Sequence, residues 1–183
     1  MQNPNTYQID NLIFKRTIGY NAINSRIFEL ANQINNDYKD NPNEPVFLIT
    51  LKGAIFFATQ LLKNIYFKHT IDTATAKSYG NAMKSENVDI QLNINSFKNK
   101  DIIIIEDIID TGKTIIALTD LLQQQQPNSI AIATLINKPL SHNNIININY
   151  TAFEIDSDAF IIGFGLDYKE YGRNLNGLYL LAN

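Results

Sequence analysis

The chain of 183 residues contains no cysteine. That excludes a disulfide scaffold, a thiolate metal site and a thiol nucleophile, and it suits a reducing compartment. Positive charge is not in excess either. Fifteen Lys and Arg against 18 Asp and Glu leave a formal net charge of -3. The basic face or tail that nucleic-acid binding requires is therefore missing. Apolar runs fall well short of the ~20 residues that cross a bilayer. The opening stretch, residues 1–12, is polar and rich in Asn and Gln, without the apolar core of a signal peptide. The expectation is a cytoplasmic protein with neither nucleic acid nor membrane as partner. There is no internal repeat and no long linker. A chain of this size forms one domain and buries roughly 70% of its unfolded surface, so it needs no covalent or metal staple.

What is present is strand–helix alternation. Ile23, Ile27, Leu30, Ala31 and Ile34 form one stripe of an amphipathic helix over residues 21–38. After a loop at 41–45, residues 46–51 make a short apolar strand, and a helix is expected over 54–63. The strongest strand signal is residues 101–105, where Ile102, Ile103, Ile104 and Ile105 do not alternate with polar residues. Such a strand is buried on both faces, as in a parallel sheet covered by helices. A helix with Ile115, Leu118, Leu121 and Leu122 on its apolar side follows, then strands at 129–136 and 159–164. This order predicts an α/β fold with right-handed crossovers, whose ligands bind at the carboxyl ends of the strands.

Chemistry is densest just after the tetra-isoleucine run. Glu106, Asp107 and Asp110 are followed by Thr111-Gly112-Lys113-Thr114, which opens a helix. A helix N-terminus offers free N–H groups and a partial positive charge to a phosphate. Gly112 allows close backbone approach, and the two threonines add hydroxyl donors. The carboxylates suit hydroxyls, a hydrated cation or a proton. The Gly-Lys-Thr tail is not a nucleotide-binding P-loop, because the glycine required five positions before Gly112 is Asp107. A lone acidic pair would ordinarily be a solvated loop with a helix cap. Three acids, an anion-binding turn and a buried strand together argue for a site.

Residues 102–114 (IIIIEDIIDTGKT) resemble the phosphoribosyl pyrophosphate-binding motif of type I phosphoribosyltransferases, in detail the hypoxanthine (hypoxanthine-guanine) branch. Four further segments agree in the family's order: 26–38 (RIFELANQINNDY), 51–62 (LKGAIFFATQLL), 78–81 (SYGN) and 160–174 (FIIGFGLDYKEYGRN). The resemblance implies a central, mainly parallel twisted sheet flanked by helices. It also implies a small hood from the chain's ends, about 138–183 and the N-terminal residues, within one domain. The implied reaction joins N9 of a 6-oxopurine to the phosphoribosyl group and releases pyrophosphate, a purine-salvage step that uses Mg2+.

The same resemblance assigns roles. Glu106 and Asp107 face the ribose hydroxyls and their magnesium. Asp167 reaches a second magnesium and borders the purine. Asp110, Thr111, Gly112, Lys113 and Thr114 complete the phosphoribosyl cradle, with Asp110 beside purine N7 as the general acid or base. Lys52 and Gly53 form a pyrophosphate loop, joined by Arg173, whose planar fork can pair two phosphate oxygens. Lys138 donates to purine O6, Phe160 stacks on the ring and Ile161 supplies backbone groups. Ser78 and Tyr79 begin a mobile loop. Relatives are commonly dimers or tetramers, so a homodimer or homotetramer is implied.

Two departures stand out. Residues 81–87 (NAMKSEN) replace a Thr-x-Ser-x-Gly pattern, and no proline follows Ile155. His69 and His142 match no motif and are taken as surface or structural. Two other readings stay open: a guanine- or xanthine-preferring transferase, and a non-catalytic regulator of this fold that binds nucleic acid.

Overall fold

Four consecutive isoleucines demand apolar partners on both faces of a strand. In the computed structural model, Ile102 to Ile105 are fully buried. The structure describes residues 5–79, 87–93, 96–142 and 146–182; for 77–79, 87 and 88 it describes the backbone alone. The isoleucines lie in β6 (Asp101–Ile109), a central strand of a six-stranded sheet. Ile103 and Ile105 pack with α1 (Tyr20–Tyr38) and α2 (Ile55–Leu62) on one face. Ile102 and Ile104 pack with α3 (Lys113–Gln123) on the other. The helix stripes match the expectation. Ile23, Ile27, Leu30, Ala31 and Ile34 are the buried residues of α1, and Ile115, Leu118 and Leu122 those of α3. Leu121 is only half-buried.

β3 (Val46–Leu51) pairs in parallel with both β4 (Thr70–Tyr79) and β6, and β7 (Ser129–Asn137) pairs in parallel with β6 and with β8 (Tyr150–Glu154). β5 (Asn87–Leu92) closes the opposite edge antiparallel to β4, which gives the order β5-β4-β3-β6-β7-β8. From β3 the chain moves to one edge and from β6 to the other, with their following helices on opposite faces. A crevice opens outside the carboxyl ends of two strands at such a switch point. Lys52-Gly53 and Asp110 to Thr114 follow these two strands directly.

A second sheet, antiparallel and four-stranded, joins the chain's ends in the order β1 (Thr6–Ile9), β2 (Leu12–Gly19), β10 (Gly177–Leu181), β9 (Ile161–Ile162). Ile9, Phe14, Ile162 and Tyr179 form its own small core. Two sequence expectations shift here. The strand anticipated at 159–164 shrinks to β9 and belongs to this small sheet, because the backbone leaves the extended region at Gly163, Phe164 and Gly165 (φ 101, 48 and 108). The 101–105 strand instead runs on to Ile109, as Ile108 and Ile109 keep pairing with Ile136 and Asn137 of β7. β8, inside the 138–183 stretch, pairs with the large sheet. Among the described residues no helix is long and apolar enough to cross a membrane.

Candidate active site

The end of β6 sets the site. Glu106 and Asp107 end the strand with their carboxyl groups against each other, at a depth that a loop would not reach. Glu106 is only 8% exposed, and its Oε2 is buried without a hydrogen-bond partner. Burial, then the Asp107 charge, pushes the Glu106 carboxyl well above the usual carboxylate range. Burial also raises Asp107, although hydrogen bonds from Glu106 and the backbone oppose it. Asp107 lies against the turn after β3: a Cβ on Gly53 would sit 1.7 Å from Asp107 Oδ2. Only glycine lets the two strand ends approach this closely. The preceding Leu51–Lys52 peptide is cis.

Beyond Asp110 the chain turns through Gly112, the N-cap of α3, in the left-handed conformation (φ 75). A side chain at Gly112 would also strike Ile146, at 2.0 Å. Gly112 has no side chain to cap α3, so an anion can approach this helix end closely. A cleft of ≈ 260 Å³ lies over this turn, lined by the consecutive residues Glu106 to Ile115.

A second cleft of ≈ 190 Å³ adjoins it, sharing Asp107, Ile108 and Asp110, and is closed by Lys138, Phe160, Ile161, Leu166 and Asp167. Lys138 stands at the end of β7. Its side chain is 6% exposed and that of Asp110 is 51% exposed, with Lys138 Nζ 3.9 Å from Asp110 Oδ1. Lys138 Nζ also donates to the Ala159 carbonyl at 3.1 Å. A lysine before proline is ordinarily solvated; this one is held in the wall of a cleft. Phe160 is 51% exposed, lines the cleft and meets Tyr168 nearly at right angles, with ring centroids 5.5 Å apart. Ile161 is buried in β9 and borders the cleft.

The pyrophosphate residues named from sequence converge as well. Lys52 Nζ lies 3.2 Å from Glu170 Oε2. Arg173 donates through NH1 to the Gly165 carbonyl at 2.8 Å and pairs through NH2 with Asp167 Oδ1 at 2.7 Å. The other Asp167 oxygen accepts the Glu170 N–H at 2.7 Å. Arg173 therefore orients Asp167 and the 165 carbonyl in addition to any anion it meets. Thr111 and Lys113 are exposed on the turn, and Thr114 is half-buried. Ser78 and Tyr79 end β4, paired with Val88 and Asn87; the remainder of the expected loop, 80–86, lies outside the described residues.

Sequence reasoning passed over two contributors. Ile108 lines the second cleft beside Leu166, and Glu170 reaches both Lys52 and Arg173. Glu170 stands inside the 160–174 segment, where its charge between two cationic positions was the available signal. His142 is buried, with Nε2 2.8 Å from Asn137 Oδ1, and it packs behind Gly112. His69 lies edge-on to Phe47 at 5.1 Å. Both histidines are structural.

Known proteins resemble this chain in sequence and in fold. The phosphoribosyl transferase domain family matches residues 19–169. The hypoxanthine phosphoribosyltransferase of Salmonella typhimurium is 36% identical over 155 residues, 84% of this chain and 86% of that protein. The hypoxanthine-guanine phosphoribosyltransferase of Staphylococcus epidermidis is 40% identical over 149 residues, 80% of this chain and 82% of its own length. A crystal structure of a hypoxanthine phosphoribosyltransferase from Staphylococcus aureus superimposes with a TM-score of 0.84 at 35% identity, covering 92% of this chain and 91% of that one.

Proposed function

Since the chain belongs to the phosphoribosyltransferase family, we propose that it transfers the 5-phosphoribosyl group of phosphoribosyl pyrophosphate to N9 of a 6-oxopurine, hypoxanthine first, giving IMP and pyrophosphate. The observation that carries this reading is the pair of adjoining clefts. One offers a helix N-terminus for a phosphate; the other brings Lys138, Asp110 and the half-exposed Phe160 together for a base. Phe160 stacks on the purine. Lys138 donates to O6; with adenine the same ammonium would meet an amino group, so adenine is rejected. Asp110 stands 3.9 Å from Lys138. That is the place for a group that holds or takes the proton at N7 as N9 forms its bond.

The donor set fits magnesium. Glu106 Oε2 has no partner, and Asp107 crowds against it in a buried acidic pair that a divalent cation would neutralise. Among the described residues no group of three or more Asp, Glu and His gathers to bind a metal alone. The ion would therefore take its other ligands from substrate oxygens and water, as magnesium commonly does. When bound it would offset the negative charge of the departing pyrophosphate. Asp167 is the candidate for a second ion, held in place by Arg173. Lys52, Gly53 and Arg173 bind the pyrophosphate, and Ser78 and Tyr79 start the covering loop. The two ends of the chain form a hood within a single domain. We further expect a homodimer or homotetramer working in the cytoplasm, its substrates small molecules rather than nucleic acid.

The test is a side-by-side assay with hypoxanthine, guanine, xanthine and adenine, using phosphoribosyl pyrophosphate and Mg2+. Hypoxanthine should give the highest kcat/KM and adenine the lowest. A preference for adenine, or no transfer to any base, would refute the reading.

A further inference from the structure

Residues 168–171 form a two-residue reversal. Tyr168 and Tyr171 exchange both backbone hydrogen bonds at 3.0 Å, with Lys169 (φ 52) and Glu170 (φ 69) at its centre. Two positive φ values in succession define a turn normally occupied by Asn-Gly, and a lysine and a glutamate adopt it at a cost in backbone strain. Their side chains account for the arrangement. Lys169 pairs with Asp10 at 3.0 Å, which ties the turn to the small sheet. Glu170 extends the other way, its Oε2 3.2 Å from Lys52 Nζ and its Oε1 3.4 Å from Arg173 NH2. The Lys52 hydrogen bond, then the Arg173 charge, hold the Glu170 carboxyl below the usual range, so it is ionised at neutral pH. The loop beneath is in direct contact with the pyrophosphate turn, since a Cβ on Gly165 would lie 2.0 Å from the Gly53 carbonyl.

We propose that Glu170 is an internal competitor for the pyrophosphate subsite: its carboxylate takes the two cations, Lys52 and Arg173, that the diphosphate must also use. This rests on the assignment of Lys52 and Arg173 made under the proposed function and adds to it a residue that limits diphosphate affinity. Each binding event exchanges one set of ion pairs for another, and each release of pyrophosphate restores the Glu170 contacts. The carboxylate thus favours product departure. Its pairs with Lys52 and Arg173 are solvent-exposed, which keeps the exchange modest in size.

The experiment measures magnesium pyrophosphate binding by titration calorimetry, and the KM values for phosphoribosyl pyrophosphate and hypoxanthine, in the full chain and in Glu170→Gln. Glutamine preserves size and the backbone N–H bond to Asp167 while removing the charge. The expected result is about three- to tenfold tighter pyrophosphate binding, from the loss of two exposed pairs, with a lower KM for phosphoribosyl pyrophosphate and an unchanged KM for hypoxanthine. Glu170→Asp, which keeps the charge on a shorter arm, should fall between the two. Unchanged or weaker pyrophosphate binding in Glu170→Gln, with an active parent, overturns the competitor role and leaves the transferase assignment intact. A parent that neither binds pyrophosphate nor transfers the sugar phosphate overturns both.

Discussion

At the scale of single residues, polarity is used in two opposed ways at the two ends of β6. Asp101, at its start, is 2% exposed and satisfied by Asn41, Asn43, Asn128 and Ser129. Burial pushes its carboxyl up, but the four hydrogen bonds outweigh burial and leave it lowered. A folded-state value below the unfolded one adds stability above the unfolded pKa, about 3.9, and that contribution is lost as pH falls through the folded value. Asp101→Ala should therefore cost about 2 kcal/mol at neutral pH by urea denaturation, because hydrogen bonds to a buried charged acceptor are lost. The acid limb of its stability curve should also flatten below about pH 4. At the other end, Asp110 stays half-exposed beside Lys138. Asp110→Asn should keep substrate affinity and lower kcat by about 10²- to 10⁴-fold, the usual worth of general acid–base assistance. Near-normal kcat would remove Asp110 from the mechanism. Lys138→Ala should raise the KM for hypoxanthine by about 10- to 100-fold, since a charged hydrogen bond is lost. These residue types were legible because their positions follow apolar strands. Glu170 was not, because its role depends on a turn that brings it to Lys52, 118 residues away in sequence.

At the scale of elements, the site depends on how closely the turn after β3 approaches the end of β6. Gly53→Ala forces Asp107 aside, because the new Cβ would overlap its carboxylate. Far-ultraviolet circular dichroism should be unchanged while kcat/KM falls by about 10²-fold, the scale of an ångström-sized misplacement. Parent-like activity would mean that Asp107 is not fixed by this contact. The buried elements were the readable ones. β3, β6 and β7 are apolar runs, and α1 and α3 carry regular stripes of isoleucine and leucine. β4 and β5, TIDTATAKSY and NVDIQL, mix Thr, Asp and Lys with apolar residues because they form one edge of the sheet, where α3 covers a single face. The small sheet escaped for a different reason. Its strands are drawn from both ends of the chain, and no local pattern announces a pairing such as Gly177 with Gly19.

At the scale of the molecule, one sheet supplies the chemistry and the other carries the aromatic wall. The large core is apolar and continuous through α1, α2 and the central strands, so folding does not depend on a cation. Chelation by EDTA should abolish transfer, and added Mg2+ should restore it, with little change in the thermal midpoint. Collapse of the fold on chelation would assign the metal a structural role instead. The most direct measurement is a crystal structure of the protein with IMP. The 5′-phosphate should sit on the Asp110–Thr114 turn, with the purine over Phe160 and O6 within hydrogen-bonding distance of Lys138 Nζ. A phosphate bound away from that turn, or a base outside the Phe160 cleft, would contradict the account.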